Sequence, residues 1–316
     1  MKRSKIAGRL GKVGVLMGGP SSERQVSLKS GMSVYNNLKA ADFNVVAIDI
    51  KTADLVENIR LIKSHKIDCA FIALHGHYGE DGQIQGLLDI LDIPYTGSSM
   101  LASKLAMDKI ASRQVLEIHG LFVPRYKVVE KVSYNTQLLS RLRFGFPWVI
   151  KPATNGSSIG LSIIDSRLQL DNAVEEAFAY DDKIIVEEYI RGRELTVGIL
   201  RGKPLPVIEI VPKNRFFDFE AKYSYGLTDY IVPAKIEKSL SRKLQQTALK
   251  VHKLLGCSGC SRVDIILDSY GLPYILELNS IPGLTPTSLL PKAAQVLGID
   301  FTNLCIELLM TAYEKA

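Results

Sequence analysis

The sequence predicts an α/β fold, α+β in its later parts, and three observations carry that reading. Apolar strands alternate with helical patterns through the first hundred residues, shorter strands and helices intermix after Pro124, and two late strands carry charged residues at alternate positions. With 316 residues, 47% hydrophobic and 23% charged, the composition excludes disordered, collagen-like and disulfide-scaffold chains.

Residues 12–17 read as a strand, 26–40 as an amphipathic helix, 45–50 as a second strand, then a polar helix, then 68–74 as a third strand. This βαβαβ order implies a parallel sheet covered by helices. Two helical patches follow Tyr95-Thr96-Gly97-Ser98 and run to His119, where residues 120–124 break the pattern, so a boundary is expected near residue 100. From 124 to 190 the order is strand, polar helix at 134–142, strand 147–151, Gly/Ser loop, strand, helix 168–179 and strand 184–189, a small α+β unit. The remainder offers strands at 195–200, 207–211, 263–267 and 274–278, helices at 240–255 and 289–296, and one closing helix.

The net charge of +6 comes from 39 basic and 33 acidic residues, yet Lys2, Arg3, Lys5, Arg9 and Lys12 all fall within the first twelve positions. A basic terminus without aromatic or groove-reading partners reads as a solvated tail, so no nucleic-acid partner is expected. No apolar run reaches the ~18 residues of a membrane span and residues 13–17 are too short for a signal-peptide core, so a cytoplasmic protein without a membrane partner is expected. Cys69, Cys257, Cys260 and Cys305 include one CxxC pair. A zinc site would need a second pair or histidines at finger spacing, which favours packing thiols.

Gly18-Gly19-Pro20-Ser21-Ser22-Glu23-Arg24 follows a strand and opens a helix, where backbone N–H groups favour an anionic or polar ligand. The segment lacks GxGxxG, and a carboxylate at Glu23 suits the helix dipole as a cap equally well. The run from Lys151 to Gly160 (KPATNGSSIG) ends a strand on a lysine and continues in small hydroxyl and glycine residues that can fold over phosphates. No GK[ST] follows, so it is not a Walker A loop, and a plain surface hairpin uses the same residue types.

Arg262, Asp264, Glu277 and Asn279 are spaced by two along adjacent strands and project onto single faces. In a regular antiparallel hairpin centred between Tyr270 and Gly271, Asp264 faces Glu277 and Arg262 faces Asn279. Two carboxylates and an amide carbonyl are hard oxygen donors, suited to Mg²⁺ held together with substrate phosphates. The alternative is a salt bridge of Arg262 with both acids. Pro282-Gly283-Leu284-Thr285-Pro286 then leads to Ser288 and Leu289 at a helix start, a second place for a carboxylate. His75 ends a strand in LHGHYGEDG, where α/β sheets bind ligands, and Asp81 can simply cap the helix beginning at Gly82-Gln83.

Six segments taken in order resemble the D-alanine:D-alanine ligases of the ATP-grasp superfamily: GGPSSERQVSLKS at 18–30, LHGHYGEDG at 74–82, Met107-Asp108-Lys109, 151–160, Glu220-Ala221-Lys222-Tyr223, and Arg262 through Asn279 to Ser288-Leu289. The resemblance implies a three-domain ATP-grasp fold: an N-terminal substrate domain at 1–104, a central subdomain at 105–190 and a C-terminal subdomain at 191–316. It implies ATP contacts at Lys109, Lys151, Ser158, Glu187, Ile190 and Glu194, and two Mg²⁺ ions, with Mn²⁺ as an alternative, at Asp264, Glu277 and Asn279. By the same resemblance Glu23 holds the first D-alanine's ammonium, oriented by Ser157 and Tyr223, in a pocket lined by His75 and Glu80. Lys222, Ser288 and the Leu289 N–H take the second D-alanine's carboxylate, and Arg262 with the Gly283 N–H stabilises the oxyanion.

The implied activity is ATP-dependent synthesis of D-alanyl-D-alanine through a D-alanyl phosphate, for peptidoglycan precursors, with D-lactate as an alternative acceptor. The Glu-Ala-Lys-Tyr pattern favours the dipeptide. A homodimer is implied by the family alone. Leu284 stands where methionine is usual, and Ser224-Tyr225-Gly226-Leu227 follows no family pattern.

Overall fold

The apolar run that follows the basic terminus becomes the middle strand of a parallel sheet. The computed structural model describes residues 8–139, 142–156, 158–212 and 228–314. β1 (Val13–Gly18) lies between β2 (Val45–Ile50) and β3 (Cys69–Ile72), both parallel to it, and all six of its residues are buried. A strand reads as continuously apolar when both faces are covered, and here they are. Val34 and Leu38 of helix α1 (Arg24–Ala40) pack on Val13, Val15 and Met17. Ile62 of α2 (Leu55–His65) and Ile84, Leu87 and Leu88 of α3 (Gln83–Ile90) pack on Leu16 and Ile48 across the sheet. Gly31 permits the close approach of α1: a Cβ there would stand 2.4 Å from that of Met17.

Two helices follow, α4 (Met100–Met107), capped by Ser99, and α5 (Lys109–Ile118), capped by Asp108, whose carboxylate accepts from the N–H groups of Ile110 and Ala111. The next sheet is antiparallel, in the order β4-β7-β5-β6, from β4 (Tyr126–Glu130), β5 (Trp148–Pro152), β6 (Ser162–Ile164) and β7 (Lys183–Glu188). Helix α6 (Leu170–Phe178) covers it with Ala173, Val174 and Phe178. The polar helix expected at 134–142 is replaced, among the described residues, by 3₁₀ turns at Lys131–Ser133 and Thr136–Leu139. Asn135 offers the reason, since both its side-chain and its backbone oxygen accept from the Leu138 N–H and close a local turn.

A larger antiparallel sheet runs β11-β10-β8-β12-β13, from β8 (Gly192–Leu200), β10 (Ile208–Pro212), β11 (Thr228–Ile231), β12 (Cys260–Asp268) and β13 (Pro273–Asn279), with β9 (Lys203–Pro204) beside β8. The two short strands β9 and β11 have no sequence forecast. Helix α7 (Lys238–Leu254) covers one face, where Leu244, Ala248 and Val251 meet Leu195, Val197 and Val263, joined by Ala106 of α4 and Leu116 of α5. Helices α8 (Leu289–Val296) and α9 (Phe301–Thr311) bring Leu290, Leu304 and Leu308 into one cluster with Val15, Phe71, Ile208 and Ile210. Each such fully buried side chain contributes roughly 1.5–3 kcal/mol, so this cluster joins the first sheet firmly to the last.

Candidate active site

Two cavities flank the β12–β13 hairpin. One of about 390 Å³ lies between the two antiparallel sheets, and one of about 720 Å³ lies between the parallel sheet and the hairpin.

The smaller cavity has an apolar slot, with Val149, Ile163, Ile210, Ile266 and Leu276 among its walls, and a charged end containing Lys109, Lys151, Glu187, Asp264 and Glu277. Ser158, Ile190 and Glu194 also line it, so all six residues forecast for ATP stand around one space. β5 runs one residue past the forecast end, to Pro152, and Lys151 Nζ lies 2.8 Å from Glu187 Oε1 on the neighbouring β7. Burial lowers the Lys151 pKa to about 8, against the pull of Glu187, with Arg113 pushing further down. Burial also opposes charge on Glu187, yet Arg113 and Lys151 together hold its carboxyl below the usual range. Arg113, from α5, is 1% exposed and ion-paired with Glu187, making a buried triad. Sequence reasoning missed Arg113, although its place on the buried stripe of α5, three residues before Leu116, was a readable signal. Ser158 takes a left-handed φ of +59°, and the loop's stem is held where Thr154 donates to Asp181 through both its N–H and its hydroxyl.

The larger cavity gathers Glu23, His75, Glu80, Arg262, Asn279, Gly283, Ser288 and Leu289. Glu23 sits at the N-cap of α1 and makes no side-chain capping bond there. Its carboxylate instead reaches Gly76: a Cβ on that residue, which adopts φ +73°, would fall 2.5 Å from Glu23 Oε2. Glu80 accepts from the N–H groups of Gly76 (2.8 Å) and Ile281 (3.2 Å). Burial, and then the neighbouring Glu23 charge, push its pKa up to about 8. Burial takes His75 the other way, to about 4, so its ring is neutral. The Ser288 hydroxyl turns to Thr285, accepting from its N–H at 3.1 Å, and leaves the first turn of α8 without a side-chain cap. Asp81 accepts from the Gln83 N–H, the capping role allowed for it.

The hairpin aligns Asp264 with Glu277 and Arg262 with Asn279, the facing pairs read from the spacing. Its turn is not the regular one. The register shifts after Asp264, Ile265 pairs with Ile275, and the turn centres on Tyr270. The bulge and the displaced turn offset each other, so the charged rows stay opposed. Arg262 forms a bidentate pair with Asp264 (2.9 and 2.8 Å), and Thr196 and Asn279 donate to the same carboxylate. Those four bonds fill the carboxylate's acceptor sites, so a cation bound by Asp264 must displace one of them. Glu277 and the Asn279 carbonyl oxygen are the further hard donors, and the set fits Mg²⁺ or Mn²⁺ rather than zinc. Of the two hairpin acids Arg262 pairs with Asp264, while Glu277 lies 3.5 Å from Lys109 Nζ.

Lys109 and Glu277 line both cavities. Ser157, Lys222 and Tyr223 lie outside the described residues. All four cysteines are buried thiols, as expected of packing residues. Among the described residues no single helix is long and apolar enough to cross a membrane.

The pattern described as D-ala D-ala ligase N-terminus matches residues 12–58 and 52–98, and that described as D-ala D-ala ligase C-terminus matches 115–310. The chain belongs to the D-alanine–D-alanine ligase family. A ligase of that name from Geotalea uraniireducens is 48% identical over 96% of both chains, and one from Trichlorobacter lovleyi is 47% identical over the same shares. Among solved structures, a D-alanine–D-alanine ligase from Bacillus anthracis complexed with ATP is 36% identical, with TM-score 0.82 over 96% of this chain and 97% of that one. The VanG D-Ala:D-Ser ligase of Enterococcus faecalis is 29% identical with the same TM-score, over 96% of this chain and 99% of that one. Family membership fixes the ATP-grasp fold and the class of enzyme: an ADP-forming ligase.

Proposed function

We propose that the two cavities divide one reaction, the ATP-dependent joining of two D-alanines into D-alanyl-D-alanine, supplying peptidoglycan precursors in the cytoplasm. The observation that carries this reading is that Lys109 and Glu277 line both spaces, so a phosphoryl group at the end of one meets a carboxylate at the end of the other.

ATP occupies the smaller cavity with adenine in the apolar slot, ribose by Glu194, and phosphates against Lys109, Lys151 and Ser158. Glu187 and the segment from it to Ile190 serve adenine, and the Glu187 carboxylate holds Lys151. Asp264, Glu277 and Asn279 would hold two Mg²⁺ ions, with Mn²⁺ able to replace them, which would neutralise charge on the transferred phosphoryl. Glu23, with Ser157 and Tyr223, holds the first D-alanine's ammonium. The carboxylate of that D-alanine then takes the γ-phosphoryl of ATP with ADP leaving, because a carboxylate oxygen leaves only once it is part of an acyl phosphate. The second D-alanine, held by Lys222, Ser288 and the Leu289 N–H, attacks the D-alanyl phosphate and expels inorganic phosphate. Arg262 and the Gly283 N–H stabilise the tetrahedral oxyanion, an interaction worth roughly 3–4 kcal/mol per donor. The working division is 1–104, 105–190 and 191–316, and the assembly is a homodimer.

The test is phosphate release from Mg-ATP by the purified chain with D-alanine, L-alanine, D-serine, D-lactate or no addition, with products identified by mass. D-alanine-dependent phosphate matched by dipeptide is expected. Turnover with another acceptor alone overturns the acceptor assignment, and absence of turnover under all conditions overturns the reading.

A further inference from the structure

We propose that Ser30, His75 and Glu80 form a clasp on the backbone of residues 281–284 that fixes the Gly283 N–H, so that they are positioning residues rather than ligands of D-alanine. The proposal rests on the role given above to Gly283.

The bonding leaves little freedom. The Ile281 N–H donates to Glu80 Oε1 at 3.2 Å, and the Ile281 carbonyl lies 3.1 Å from His75 Nδ1. A carbonyl only accepts, so Nδ1 carries the ring proton and the neutral imidazole presents Nε2 as an acceptor. Ser30 Oγ stands 2.9 Å from that Nε2 and therefore donates to it. Its lone pair then accepts from the Leu284 N–H at 3.4 Å. Gly283 is thus bracketed by backbone groups bonded on both sides, and Pro282 restricts the chain between them.

The base of the clasp is itself held. The His75 N–H donates to Ser27 Oγ at 2.8 Å, the Ser21 hydroxyl donates to the His75 carbonyl at 2.8 Å, and Ser30 is fully buried in α1. The Ile281 side chain is buried with Leu16 and Leu74 in the core of the parallel sheet. Both ring nitrogens of His75 are occupied by protein partners, and both Glu80 oxygens accept backbone N–H groups. The sequence gap between Glu80 and Ile281 makes this a long-range tie between the wall of the first substrate's pocket and the turn that serves the second step. An oxyanion donor stabilises only where the oxygen will arrive, so the placement of Gly283 bears on turnover more than on ground-state binding.

The experiment is steady-state phosphate release with D-alanine and Mg-ATP for the wild type, Ser30→Ala, His75→Gln and the double variant, with thermal unfolding as a check on folding. Each single variant is expected to lose roughly 10- to 100-fold in kcat with KM for D-alanine changed by less than about threefold. The double variant should fall no more than about threefold below the weaker single one, because the two act through one unit. A rise of about tenfold or more in KM for His75→Gln with kcat kept, losses that multiply in the double variant, or unchanged kinetics would each overturn the clasp. If His75→Gln fails to fold, the kcat-against-KM split of Ser30→Ala decides alone. A wild type that makes no dipeptide sinks the ligase reading and the clasp with it, whereas an active wild type with unmoved variants sinks the clasp only.

Discussion

Lys109 Nζ and Glu277 Oε2 lie 3.5 Å apart on the wall common to both cavities. The lysine comes from the first residue of α5 and the acid from β13, so a helix start and a hairpin separated by more than half the chain meet at one point. Lys109 Nζ also donates to the Asn155 carbonyl at 2.6 Å, which ties the loop after β5 to the same place.

Glu277→Gln keeps the shape of this contact and removes its charge. With the side chain 24% exposed, the fold should survive. Phosphate release should fall on the order of 100-fold or more, because one hard donor facing the transferred phosphoryl is gone. A folded variant with near-normal phosphate release would remove Glu277 from the proposed metal set.

Lys151 gives the free enzyme a pH limb. Its pKa of about 8 means that the ammonium, proposed above to meet the ATP phosphates, is charged below that value and neutral above it. Apparent KM for ATP should therefore rise as pH climbs from about 7 to 9.5, and Lys151→Arg, which stays charged throughout, should flatten the rise. An identical ATP profile for both proteins would contradict the assignment of Lys151 to phosphate.

How much of this was legible in the sequence depended on whether the signal was local. The facing pairs at 262, 264, 277 and 279 followed from strand periodicity and an assumed regular turn, and the register agrees because the bulge and the shifted turn, both invisible in the sequence, offset each other. Asn135 shows a local preference overriding a helical pattern. The contributions of Ser30 and Arg113 were hidden for another reason. Each sits on a buried helix stripe where a small or amphipathic side chain reads as packing, and its partners lie far away in sequence, at Leu284 and Glu187. Only the long-range fold shows what such a residue touches.

Arg113→Met tests the buried triad. The guanidinium is 1% exposed and Glu187 is 3% exposed, so the substitution leaves a buried carboxylate with Lys151 as its remaining cationic partner in the triad. Breaking a buried pair from one side destabilises by ~3–5 kcal/mol, which urea unfolding measures directly. Losing the Arg113 charge should also raise the Lys151 pKa and move the ATP limb to higher pH. A loss below about 1 kcal/mol would mean that the triad does not hold α5 to β7.

Glu80 gives the opposite signature, in stability rather than binding. Its carboxyl is raised from 4.5 to about 8, first by burial and then by the Glu23 charge, against the backbone N–H groups of Gly76 and Ile281. Between those two values the folded chain keeps a proton that the unfolded chain has released. The unfolded state binds fewer protons there, so stability falls as pH rises through the window, and the contribution is gone above about 8. Glu80→Gln does not titrate. Whatever fixed penalty its amide carries opposite the Gly76 N–H is the same at every pH, while other groups cancel between the two proteins. The difference in Tm should therefore move in favour of the variant between about pH 5 and pH 9, as read by thermal unfolding at both ends. A difference that stays constant, or moves toward the wild type, would show that Glu80 is ionised across the range and that the two N–H groups outweigh its burial.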